Sequence, residues 1–155
     1  MKITIRKSTL DDVERLFDVW HSAVEATHDF LIPEDHAEIA ALVRDQYLPV
    51  ADLDVAIDEN GLPLAFMGMT GNEIDALFVH ADARVTGVGR LMVEHAFARG
   101  PVIRTEVNEQ NGQGVAFWEH MGFRRIGRTE IDGQGRPYPL LQMEWRAATA
   151  ADSCP

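Results

Sequence analysis

EIDALFVHADARVTGVGRLMVEHA, residues 73–96, passes from a strand pattern into a helix pattern through a turn that holds Arg84, Gly87, Gly89 and Arg90. A strand that feeds directly into a helix leaves the first helical N–H groups unpaired and pointing at one place. The helix dipole adds partial positive charge there, so the position suits an anion. Gly87 and Gly89 let the backbone approach a ligand closely, and Arg84 and Arg90 add charge-assisted donors. The stretch reads as a phosphate cradle. A nucleoside-triphosphatase loop would need Gly-Lys-Ser/Thr, but Gly89 is followed by Arg90 and Leu91. A dinucleotide fingerprint would need a third small residue where Met92 stands. What remains is Arg-x-x-Gly-x-Gly.

Outward from that turn the chain alternates between the two periodicities. Lys2–Lys7 reads as a strand with Ile3 and Ile5 on one face, and Thr9 with Asp11 and Asp12 caps a helix carrying Val13, Leu16, Phe17, Trp20 and Val24. HDFLIPED breaks it, Pro33 suits the start of a second helix with Ile39, Leu42, Val43 and Tyr47, and Pro49 ends that helix. LDVAID, ENG and LPLAFMGMTG form a hairpin, followed by the strand EIDALFVH. Residues 88–98 predict a helix with Val88, Leu91, Met92 and Ala96 inward. VIRTEVN reads as a strand, GVAFWEHMGF as a short helix ended by Gly122, and the segments around DGQGRP as a final hairpin. The order is β-α-α-β-β-β-α-β-α-β-β, an α/β or α+β sheet protein with its parallel pair in the β-α-β unit from Asp75 to Asn108.

With 155 residues, one domain over 1–147 and a disordered tail over 148–155 are expected. The single cysteine, Cys154, excludes a disulfide framework or a cysteine metal site, and the N-terminus has no apolar signal core, so a cytoplasmic protein is expected. No stretch reaches the apolar length of a membrane helix. The formal charge of -11 repels phosphate backbones, which argues against nucleic acid, and favours a cationic or amine substrate.

LFVHADARVTGVGRLMVEHA resembles the coenzyme A-binding segment of the GNAT superfamily of N-acetyltransferases, and NEQNGQGVAFWEHMGF resembles the segment that follows it there. ATHDFL, VNEQN and PYPLL resemble the small bacterial YjaB-like branch. The resemblance covers residues 2–146. It implies a mixed, mostly antiparallel sheet of about seven strands, with helices on both faces and a splayed parallel pair. It further implies transfer of an acetyl group from acetyl-CoA to a primary amine of a small molecule or protein, without a metal. By that resemblance the pyrophosphate lies on Arg84, Val85, Thr86, Gly87, Val88, Gly89 and Arg90, and the pantetheine arm pairs with the backbone of Phe78 and Val79. Asn111 matches the family's coenzyme-contacting Asn, with Asn108 as competitor.

The implied reaction is attack of a neutral amine on the thioester carbonyl, so a base must remove a proton, directly or through water. Glu73 and Asp75 share one strand face, and Glu106 follows on the next strand; these are the candidate bases. Trp118 occupies the position where the family often keeps a thiolate-protonating tyrosine. An indole N–H donates a hydrogen bond but not its proton. Either the thiolate leaves without a protein acid, Trp118 walling the coenzyme, or Tyr138 or Tyr47 reaches in. Between the first two helices, Glu25, His28, Asp29 and Phe30, with Leu31, are the candidate acceptor wall, and His28 titrates in a useful range. His21, Glu25 and His28 share a helical face, but exposed helical histidines are ordinary, and no metal is expected. The rival from another class is a coenzyme A-binding sensor with little catalysis, motivated by Trp118. A toxin acting on aminoacyl-tRNA is disfavoured by charge. The edge strands of the final hairpin offer a surface for a homodimer.

Overall fold

The computed structural model describes residues 2–148; the expectation of a disordered tail falls, from residue 149 onward, outside the described residues. Strands β1 (Thr4–Lys7), β2 (Leu53–Ile57), β3 (Pro63–Thr70), β4 (Glu73–Val79), β5 (Val102–Asn108), β6 (Arg124–Thr129) and β7 (Leu140–Arg146) alternate with helices α1 (Val13–Thr27), α2 (Pro33–Leu42), α3 (Val88–Phe97) and α4 (Gly112–His120). This is the element order expected from sequence. Hydrogen bonding orders the strands β1-β2-β3-β4-β5-β7-β6. The β4–β5 pair is parallel, whereas β1–β2, β2–β3, β5–β7 and β6–β7 are antiparallel. No helix among the described residues is long and apolar enough to cross a membrane.

The chain divides into two compact units, one of residues up to 69 with 76–92, the other of residues 70–75 with 93 onward. In the first, Leu16, Val19, Trp20 and Val24 on α1 bury against Leu53, Val55 and Phe66 of β2 and β3. Each such side chain contributes roughly 1.5–3 kcal/mol on burial. No residue of α2 is fully buried; Ile39 and Ala40 cover the edge of the same core. The helix does not stop at Leu42 but widens into a π turn, Val43–Tyr47, in which Leu48 N–H reaches Val43 O at 2.9 Å. That extra turn carries Leu48 into the core, 4% exposed, before Pro49 ends the run. Arg6 binds Asp12 through both guanidinium nitrogens at 2.8 and 2.9 Å. Arg6, more than Thr9 N–H, lowers the Asp12 carboxyl to about 2.

In the second unit β5 pairs with β7 along its whole length, from Val102↔Arg146 to Asn108↔Leu140. Ile103, Thr105, Val107, Leu141 and Met143 are buried on one face. Aromatic rings fill the rest: Phe97 stacks on Trp145 at 3.8 Å, and Trp118 meets Phe123 edge-on at 4.9 Å. Gly122 ends α4 at φ 95°, and a Cβ there would stand 3.3 Å from the Trp145 ring. One inward residue differs from expectation. α3 buries Val88, Met92, Val93 and Ala96 but leaves Leu91 38% exposed, because the stripe is one residue wider toward Val93 than the sequence period suggested.

Candidate active site

The turn after β4 has the form the sequence predicts, with added strain. A short 3-10 turn, Ala81–Ala83, leads to four turn residues and then α3. Gly87 sits at φ 89°, and a Cβ built on it meets nothing within 4 Å, so backbone conformation rather than packing requires glycine there. Val85 is the surprise: a β-branched residue at φ 60°, with its side chain fully exposed. Such a conformation costs about 1–3 kcal/mol and concentrates at ligand-binding sites. Leu91 N–H bonds Gly87 O at 3.0 Å, which makes Val88, Gly89 and Arg90 the first turn of the helix. Arg84 is half-buried and Arg90 exposed at the two ends of the loop.

Several contacts that sequence reasoning missed hold this loop. Thr86 Oγ1 donates to Ala83 O at 2.5 Å. Ala81 N–H donates to Ser22 Oγ at 3.1 Å, and that hydroxyl donates back to Val19 O at 3.1 Å. His80 Nδ1 accepts Asp82 N–H at 3.1 Å, while its Nε2 lies 3.4 Å from Asp18 Oδ2. The available signal was a serine in the middle of α1, a residue type that competes with helical backbone bonding.

β4 pairs with β5 at Glu73↔Arg104 and Ile74↔Thr105. Where that ladder stops, the Thr105 hydroxyl donates to Ile74 O at 3.0 Å. Beyond it Ala76–Val79 are only half-buried, in contrast to the buried run along β3. The Phe78 ring packs against Phe66 at 5.5 Å and Trp20 at 6.4 Å. His80 N–H still reaches Leu64 O at 2.8 Å, so β4 stays fixed to β3.

In the second unit Glu73, Asp75 and Glu106 are all exposed. The parallel register aligns Glu73 with Arg104, so all three acids share one face of the strands. Asp75 accepts from the Thr70 hydroxyl at 2.5 Å, and Glu106 from Gln142 Nε2 at 2.8 Å. Tyr138 is buried just before β7, where Glu109 N–H holds Pro139 O at 2.9 Å. Tyr47, in the first unit, lies over Gly68: a Cβ on that glycine would be 2.7 Å from its hydroxyl. Asn111 caps α4, its Oδ1 accepting Gly114 N–H at 3.0 Å, which leaves its Nδ2 as donor. Asn108 ends β5, its carbonyl accepting Asn111 N–H at 2.9 Å. Trp118 is buried in the aromatic cluster.

At the turn between α1 and α2, Glu25 and Asp29 are exposed, and His28 and Phe30 face each other at 5.2 Å. His28 departs from expectation. Burial lowers its pKa to about 4, with a smaller push from His36 and an opposing pull from Asp29. It is therefore neutral near pH 7 rather than poised there, and its Nδ1 lies 2.7 Å from the Thr27 hydroxyl. The partner that joins His21 and Glu25 is not His28 but His36, from the first turn of α2.

Comparison with known proteins adds to this geometry. Residues 52–146 match the family described as "Acetyltransferase (GNAT) domain". The chain is 46% identical over 148 residues to the peptidyl-lysine N-acetyltransferase YjaB of Escherichia coli K12, covering 96% of this chain and all of that one. It is 27% identical over 123 residues to the peptidyl-lysine N-acetyltransferase YiaC of the same organism, covering 79% of this chain and 84% of that one. The solution structure of apo-form YjaB from Escherichia coli superposes with a TM-score of 0.91 at 46% identity, over 96% of this chain and all of that one.

Proposed function

The chain belongs to the GNAT acetyltransferase family and is an acetyl-CoA-dependent N-acetyltransferase, and from that premise we propose that its acceptor is the side-chain amine of lysine in a protein. The acceptor wall is acidic: Glu25 and Asp29 are exposed at the end of α1, with Glu34 following at the start of α2. The chain's charge of -11 further favours a cationic approach. The relatives named for peptidyl-lysine acetylation support the same acceptor.

The observation that carries the coenzyme half is the strained turn at Val85 and Gly87, directly ahead of the α3 N-terminus and behind the half-exposed end of β4. In this reading the N–H groups of Val88, Gly89 and Arg90 hold the pyrophosphate, Arg84 and Arg90 add charge, and Thr86 fixes the loop. The backbone of Phe78 and Val79 receives the pantetheine amides as an added strand would. Asn111 Nδ2 donates to the coenzyme, and Trp118 supplies an apolar wall.

A lysine ammonium has no free electron pair, so it must first lose a proton. Glu73, Asp75 and Glu106 are the carboxylates assigned to accept it, directly or through water. The neutral amine then attacks the thioester carbonyl, the C–N bond forms, the nitrogen sheds its second proton to water, and the C–S bond breaks. The thiolate departs and takes its proton from water, with the hydroxyl of Tyr138 or Tyr47 as the alternative donor. Neutral His28 and the Phe30 ring line the acceptor's aliphatic stem.

The test is release of free coenzyme A thiol with a lysine peptide, measured against the same peptide carrying arginine. Acceleration confined to the lysine peptide, with mass added at that lysine, supports the assignment. Thiol release equal to amine-free hydrolysis for every lysine peptide tried would overturn it in favour of a small-molecule amine or a coenzyme-binding role.

A further inference from the structure

We propose that His21, Glu25 and His36 form a three-ligand site for a divalent transition-metal ion, Zn2+ foremost, tying the end of α1 to the start of α2. One donor atom from each residue lies within 4.8 Å of the other two. His21 Nε2 and Glu25 Oε1 are 3.5 Å apart, and His36 Nε2 and the same oxygen 3.3 Å. Ligands held about 2.0–2.1 Å from a tetrahedral Zn2+ are themselves about 3.4 Å apart, so both measured edges fit.

The second observation is an orphan. His36 Nε2 is shut off from solvent and makes no hydrogen bond, although the Glu25 carboxylate is 3.3 Å away. Buried ring nitrogens are ordinarily partnered, and one without a partner calls for an explanation. A protonated imidazole would turn its N–H onto that carboxylate. The actual approach fails as a hydrogen bond, and a cation between the three donor atoms would satisfy the orphaned nitrogen.

The scaffold holds the three groups in place. His21 and Glu25 are one turn apart on α1. Pro33 opens α2, and His36 N–H bonds Ile32 O at 2.9 Å, fixing His36 in the first turn. The His21 and His36 rings stand perpendicular, 84° apart, with Phe17 6.0 Å from one and Trp20 6.1 Å from the other. Two imidazoles and one carboxylate select borderline metals over Mg2+ or Ca2+, which prefer all-oxygen sets. Three protein ligands leave a fourth position for water or a ligand.

Acetyl transfer to an amine needs no metal, so this site stands apart from the reaction. Because Glu25 is shared with the proposed acceptor wall, binding is read by titration and not by turnover. The experiment is calorimetric titration of Zn2+ into the tag-free full chain, paired with the visible spectrum of the Co2+ form. One saturable equivalent and a tetrahedral Co2+ spectrum are expected. Affinity should drop at least tenfold in His36→Ala and in Glu25→Gln, and stay within twofold in His95→Ala, a helical histidine outside the cluster. Circular dichroism checks the fold of each variant, and His36→Gln replaces His36→Ala should the latter unfold. No saturable Zn2+ binding by the wild type, equal binding by the His36 variant, or equally tight Mg2+ binding would each overturn the assignment.

Discussion

Replacing Gly87 by alanine separates a phosphate cradle from an ordinary turn. At φ 89° an L residue is held in the left-handed region, but a Cβ there meets nothing within 4 Å. The folding penalty is therefore backbone strain alone, about 1–2 kcal/mol. For a chain of this size that lowers the thermal midpoint by about 2–8 °C. The ligand penalty is larger. Either the turn persists and the new methyl stands in the open space before α3, or the turn relaxes and the first N–H groups swing away. Losing two charge-assisted bonds, at about 1.5–3 kcal/mol each, weakens acetyl-CoA binding by roughly 100-fold or more. Calorimetry gives the Kd, and kcat/KM is compared for acetyl-CoA and for S-acetyl-pantetheine, which lacks the pyrophosphate. The expected result is a loss of about 100-fold with acetyl-CoA and little change with the truncated donor. Equal losses with both donors would refute the placement of the pyrophosphate on this turn, as would an unchanged Kd in a folded variant.

Val85→Asn should stabilise the chain by about 0.5–1 kcal/mol in urea unfolding, because asparagine tolerates φ 60° and the exposed valine gives up no packing; net destabilisation would contradict the strain. His28, lowered from 6.5 to about 4, stays neutral in the fold while the unfolded chain protonates, so stability holds above pH 6.5 and declines as pH falls from 6.5 toward 4. The full shift gives about 2 kcal/mol between pH 7 and 5, discounted to about 1 for a half-exposed ring, and urea melts of His28→Gln should show a flatter pH slope than wild type. KM for a lysine peptide should rise with ionic strength while kcat changes little, since a charge of -11 acts on approach; a salt-independent KM would remove the electrostatic argument for a cationic acceptor. Whichever of Tyr138 and Tyr47 protonates the thiolate should lose about 100-fold in kcat as its Phe variant without altering the acetyl-CoA Kd, and kcat within twofold of wild type in both variants would leave that proton to water.

The fold was legible because several elements are locally consistent: α1 and β5 carry their own periods, and the parallel unit announces itself through Gly87 and Gly89. What was not legible depends on how elements meet. His28 and His36 are equally plain in the sequence, yet only the course of the chain through Asp29–Ile32 decides which one reaches His21 and Glu25. The same turn half-buries His28, and that burial removes it from the near-neutral range its residue type suggested. Leu91 and Val93 straddle the edge of an apolar stripe, and packing rather than period chose between them. The π turn after Leu42 was invisible because it exists to deliver Leu48 to the core, a demand set by tertiary structure.

The strained turn needs support from elsewhere, since a β-branched residue at φ 60° would relax if its neighbours allowed it. The support comes largely from α1. Ser22 fixes Ala81, Asp18 faces His80, and His80 in turn fixes Asp82, so the loop is anchored ahead of the residues that strain. One turn beyond Ser22 the same helix presents Glu25 to the acceptor wall. A displacement of α1 would thus move the anchor of the donor loop and an acidic group of the acceptor side together. This gives the mid-helix serine a physical reason: its hydroxyl takes a backbone N–H from the loop while its own proton stays bonded to Val19 O. Alanine at position 22 would keep the helix and strand only the Ala81 N–H, a loss of about 1–3 kcal/mol located at the base of the cradle.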